Sequence, residues 1–223
     1  MKNFIKSLHI FIFCLFLSNI YAQESPKEWQ AHFKEVAKLP EYAGVDAVTT
    51  DKNGKASFIL PIIQTGVSKE ELSKKAHLIL KNYLGKYMDE YNYDNEKDED
   101  GDLLTQATGL LKFSAYQSFI WNFKVKFLVT FVASDGELAI AISDFKSSIH
   151  GEYKGVGGGH EDNFKDVNIT TPGYAVNKKY TKVMNNLIGF QRVAIIDLKN
   201  LFFKMFNEKM QLPVSELENK SNW

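Results

Sequence analysis

The chain has 223 residues, with 27 basic and 27 acidic side chains, and 44% of it is hydrophobic. That length and composition suit one generous domain that builds its core without covalent staples. A neutral balance with Arg192 as the only arginine argues against nucleic-acid or phosphate partners, which are held by arginine forks and basic surfaces.

The opening stretch, MKNFIKSLHIFIFCLFLSNIYAQ, predicts a secretory signal peptide over residues 1–22. Lys2 and Lys6 form its basic end, Leu8 to Leu17 its short apolar core, and Ala22 the small residue at the cut site. The apolar core is too short for a comfortable membrane span and no later run reaches spanning length, so the expectation is a mature chain with no transmembrane segment. Cleavage near Ala22 leaves 201 residues, 25 of them basic and 27 acidic, for export to the periplasm or the medium. Cys14, the only cysteine, leaves with the leader, which excludes disulfides and thiolate chemistry from the mature protein.

Residues 23–55 read as an N-terminal helix and an irregular segment. Ser25-Pro26-Lys27-Glu28 predicts a capped helix start, Trp29, Phe33, Val36 and Ala37 give one apolar face, and Pro40 ends it. Residues 56–149 then read as an α+β sheet domain. Ala56 to Ile63 predicts a strand, and Pro61 assigns it to an edge or a bulge. Ser68 to Glu71 opens a second capped helix, expected to reach about Met88, with Leu72, Ala76, Ile79, Leu80 and Leu84 on its apolar face and His77 at the boundary. Tyr91 to Tyr93 predicts the start of a strand, and Leu103 to Ala115 a longer one.

The clearest strand is Phe119 to Val132, where Phe119, Trp121, Phe123, Val125, Phe127, Val129 and Phe131 alternate with polar positions. Trp121 and Phe127 are therefore expected in the core. Asp135-Gly136 predicts a hairpin into Glu137 to Phe145. Residues 150–172 read as a flexible glycine-rich linker. Residues 173–223 form a C-terminal helical segment, packing on the sheet or on a partner, with Gly189 as a point where the helix bends or breaks. Val193, Ile196 and Phe203 lie off its main face and suggest a second contact, such as self-association.

No candidate site survives scrutiny of its spacing. Gly155-Val156-Gly157-Gly158-Gly159-His160 nearly spells a dinucleotide fingerprint, but His160 replaces the third glycine and loop follows where a helix is needed. His160, Glu161 and Asp162 lack the two-histidine zinc spacing, and His150-Gly151-Glu152 lacks the cysteines of a deaminase signature. Placing Gly101 in a calcium loop puts Glu96 first and Ala107 last, where a bidentate glutamate belongs. No Gly-x-Ser-x-Gly elbow occurs. The expectation is no catalytic, cofactor-binding or metal-binding residue, and no cofactor. Asn168 and Asn219 head glycosylation sequons.

The order of elements predicts an antiparallel sheet of about four to five strands with helices on one face, plus a long C-terminal helix. Several stretches carry a resemblance: SKEELSKKAHLIL from Ser68 to Leu80, the alternating WNFKVKFLVTF, and AIAISDFK with Asp144-Phe145 near the strand end. Over about Ala56 to Lys146, with a leader ending Ala-Gln, the chain resembles a secreted bacterial domain of unknown function with a TATA-binding-protein-like fold, common in Bacteroidetes. The resemblance implies a fold and supplies no catalytic residues. The expected function is a secreted or periplasmic non-enzymatic module that binds a partner protein or an apolar ligand. The alternative is an extracytoplasmic hydrolase of unrecognised design.

Overall fold

The computed structural model describes residues 25–91, 96–117, 119–152, 163–167, 169–170 and 182–219. The leader, residues 153–162 of the glycine-rich stretch and residues 171–181 lie outside the described residues.

Helix α1, Pro26–Val36, begins with the expected capping box. The Ser25 hydroxyl accepts from the Glu28 N–H, and the Glu28 carboxylate accepts from the Ser25 N–H at 2.7 Å. A short helix α2, Pro40–Ala43, follows. Strand β1 spans Phe58–Ile63, and helix α3 spans Lys69–Leu84. Ser68 caps α3 through the Glu71 N–H, while the Glu71 side chain turns to Lys75 at 3.4 Å. The helix stops four residues before the expected end: a 3-10 turn at Gly85–Tyr87 leads directly into β2, Met88–Tyr91.

The sheet continues with β3 (Glu96–Lys97), β4 (Leu103–Gln117), β5 (Phe119–Ser134), β6 (Glu137–Glu152) and β7 (Lys165–Asp166). Among the described residues it has seven antiparallel strands, in the order β1-β6-β5-β4-β2, with β3 beside β4 and β7 beside β6. The expected count of four to five matches the main path. The two extra strands have two residues each, too few to leave a period in the sequence. Strand β1 lies at an edge, as Pro61 requires.

Strand β6 runs seven residues past the expected end at Phe145, so His150 and Gly151 pair within the sheet, opposite Asn122 and Trp121. The cause is a bulge. Lys126 pairs with Lys146 but Leu128 pairs with Ser143, which leaves one extra residue on β6. Asp144 has φ 49°, a left-handed conformation that a short polar side chain tolerates. Before the bulge Leu138, Ile140 and Ile142 face the core; after it Phe145 does. The switch from even to odd positions breaks the alternation that marks a strand.

Helices cover one face of the sheet. Helix α4, Lys182–Lys209, is continuous through Gly189. Its Phe190, Phe202 and Phe206 meet Phe123, Phe127 and Phe131 of β5, with ring centroids 6.4, 5.8 and 5.6 Å apart. The aromatic stripe is thus filled core. Phe127 is fully buried, whereas Trp121, near the strand end, is only partly so. Gly109 lies opposite Phe127 in the β4–β5 ladder, and a Cβ there would overlap the Phe127 ring. Val193 and Ile196 of α4 are buried within the chain, because every residue from Gly189 to Leu198 is enclosed. These two residues thus have contacts inside this fold, while Phe203 is only partly buried. Helix α5, Val214–Asn219, docks on α3 through Asn82, which donates to the Leu217 carbonyl at 2.7 Å. Among the described residues no helix is long and apolar enough to cross a membrane.

Candidate functional site

Polar side chains gather in two places. The first lies where α1 and α2 meet α4. The Asp197 carboxylate accepts from Tyr42 Oη at 2.5 Å and lies 2.9 Å from His32 Nε2. Burial first, then the Asp197 charge and its hydrogen bond, keep the Tyr42 phenol protonated far above its ordinary range. One turn away, the buried Arg192 guanidinium donates to the carbonyls of Tyr42 (2.7 Å), Gly44 (2.8 Å) and Ile169. Gln191, which interrupts the apolar face in the sequence, donates to Ser147 Oγ of β6 at 2.7 Å. These groups bind the fold's own backbone and side chains. The lone arginine is a clasp, with its fork already occupied.

The second place is a cleft of about 740 Å³ at the edge of β4. Strand β2 begins opposite Gly109, and among the described residues no strand pairs with that edge of β4 from Leu110 onward. The start of α1 (Ser25, Pro26, Trp29), the turn into β2 (Lys86 to Asp89) and the β4 edge (Leu110 to Ser114) enclose the gap. On the core side, the Phe113 ring stacks on Phe123 at 4.5 Å, and Trp29 meets Phe113 edge-on at 5.4 Å. The Trp29 indole N–H is buried and has no hydrogen-bond partner among the described residues, a state that costs about 1–3 kcal/mol.

The outer side of the cleft is basic. Lys112 and Lys124 are direct cross-strand partners, an arrangement that destabilises a ladder. Lys86 lies against the Tyr87 ring at 5.0 Å from its centroid. The one carboxylate in the lining, Asp89, reaches Lys126 at 3.8 Å. In the next row Lys126 opposes Lys146, which Asp144 neutralises at 2.8 Å. Lys112 has no such partner among the described residues. The cleft therefore joins a cationic outer wall to an aromatic inner one.

Residues singled out from the sequence lie elsewhere. His77 is half-buried on α3, and burial, then the Lys81 charge, lower its pKa. His150 lies on the outer face of β6. His160, Glu161, Asp162 and Gly155 to Gly159 lie outside the described residues. In the acidic stretch Asp98 accepts from the N–H groups of Asp100 (3.1 Å) and Asp102 (2.8 Å), which makes a turn. Ala107, the would-be last calcium position, is buried in β4. Among the described residues no three metal-ligating side chains cluster.

The lysine pair was accessible from the sequence in principle. Lys112 and Lys124 fall at equal distance from Ser118, midway between the paired strands β4 and β5. Gln117-Ser118-Phe119 carries no glycine or asparagine to announce a turn.

No sequence-family model and no curated protein matches the chain. Two solved structures do. The chain is similar to a DUF4468 family protein from Bacteroides ovatus, with a TM-score of 0.53 and 16% identity over 78% of this chain and 96% of that one. A TBP-like protein from Parabacteroides distasonis aligns with a TM-score of 0.49 and 15% identity over 73% of this chain and 97% of that one. The chain shares its fold with the DUF4468 family protein, and that fold is the α+β arrangement of an antiparallel sheet under helices expected from the sequence. Identity at this level speaks to the fold alone.

Proposed function

We propose that the chain is an exported, non-enzymatic binding module that engages its partner at the cleft along the β4 edge. The observation that carries this reading is the cleft's composition: cationic side chains and a buried, unpaired indole N–H surround an open strand edge. The usual alternative for polar clusters, a hydrolytic site, draws only on the His32–Asp197 pair. There Tyr42 donates to the same carboxylate and Arg192 locks the Tyr42 backbone, which suits anchoring more than turnover.

Site-specific photo-crosslinking in the producing cell tests this reading. A benzophenone side chain at Leu110 or Ser114 should trap an adduct, and one at Glu208, on the far helix, should not. Equal labelling at both places, or none at the cleft, would sink the assignment. Export is tested separately: the recovered protein should begin at Gln23, and an intact Met1 contradicts it.

A further inference from the structure

We infer that the cleft accepts an extended peptide segment that adds a strand to β4, with acidic side chains on its outer face and apolar ones on its inner face. This rests on the cleft being the binding site and names what fills it.

Backbone geometry argues for a strand. The β4 edge from Leu110 to Ser114 continues the line along which β2 pairs with Ala107 to Gly109, so a new strand can take up the same direction of hydrogen bonding. An exposed strand edge is a template for a further strand, with main-chain bonds giving affinity and side-chain pockets giving specificity. The gap spans five residues, about 17 Å at strand rise, which suits a short segment.

The side chains set the sequence of that segment. Positions beside Leu110, Lys112 and Ser114 lie on the outer face, where Lys112 pairs with Lys124. A glutamate or aspartate next to Lys112 would relieve the like-charge pair with Lys124. Positions beside Leu111 and Phe113 lie on the inner face, against Trp29, Phe113 and Tyr87. The period of two that built β5 is thus required of the guest. The rival reading is that Lys112 only guards the edge against pairing with a second copy of this chain, a common use of lysine on edge strands.

Calorimetric titration of the purified exported protein with an end-capped octapeptide of alternating glutamate and valine separates these readings. The peptide should bind and slow amide exchange across Leu110–Ser114 at least tenfold. N-methylation of alternate peptide nitrogens should weaken binding at least tenfold. Lys112→Glu should abolish it, and exchanging the peptide's glutamates for lysines should restore it. Three results overturn the inference. The first is occupancy of the cleft by dodecanoate or glutarate while N-methylation is neutral, which makes it an anion pocket and leaves the cleft assignment intact. The second is no binding of the peptide. The third is dimerisation of Lys112→Ala through β4 with no peptide affinity in the parent, which makes the lysine a guard.

Discussion

The two polar clusters differ in how their groups are satisfied. At the α1–α2–α4 junction Arg192 meets three carbonyls and Asp197 meets His32 and Tyr42, all within the chain. At the β4 edge, Lys112 faces another lysine and the buried Trp29 N–H has no hydrogen-bond partner among the described residues. A polar group that the fold itself satisfies is part of the scaffold. One that the fold leaves at a cost, beside an open strand, belongs to an encounter with something else.

The largest effect should come from breaking the satisfied side. Arg192→Met keeps the stem but orphans buried carbonyls of Tyr42, Gly44 and Ile169, and should destabilise by about 3–5 kcal/mol in urea unfolding. A loss below about 1 kcal/mol would mean that water takes over these contacts and that the clasp is a surface feature. Gly109→Ala comes next. It forces the buried Phe127 ring against Phe202 and Phe145, and should cost about 1–3 kcal/mol, read as a lower midpoint.

The open side should behave oppositely. Lys112→Ala removes one member of a like-charge pair, so the free protein should keep its stability or gain a few tenths of a kcal/mol. A measurable loss would place Lys112 with the scaffold and erase the contrast. The smallest effect concerns pH. The fold lowers the His77 pKa below 6.5, mainly by burial, so the unfolded chain takes up that proton first as pH falls. The His77 contribution is fully present above the unfolded value and declines below it until the folded value is passed. His77→Gln should therefore flatten the stability profile between about pH 7 and 5, and an unchanged slope would show that other groups set it.

The fold was legible where one physical pattern dominated. Alternation from Phe123 to Phe131 and the Ser25 and Ser68 caps appear where expected. Legibility failed where two patterns met. The bulge at Asp144 changes the parity of β6, so its second half looks irregular although it pairs through Glu152. Around Arg192 the helix is enclosed on all sides, so its off-face residues resembled an outer surface. The candidate site was hidden for a further reason: it lies where, among the described residues, no strand pairs with β4 beyond Gly109, and an unfilled place leaves no mark in the residues of the strand beside it.

The meander β4-β5-β6 also has a consequence for how the chain folds. Its ladders join consecutive segments from Leu103 to Glu152, so each forms with a short loop closure. Strand β1 instead pairs Phe58 with Ile142, and α4 brings Phe202 to Phe127 across most of the C-terminal half. Local contacts lead and distant ones follow. Mutations in the β5–β6 hairpin, such as at Val129, should slow folding, whereas those at Phe58 should mainly speed unfolding. The edge strand and the long helix then close over a sheet whose order is already set, and among the described residues no strand joins the β4 edge beyond Gly109 at any stage.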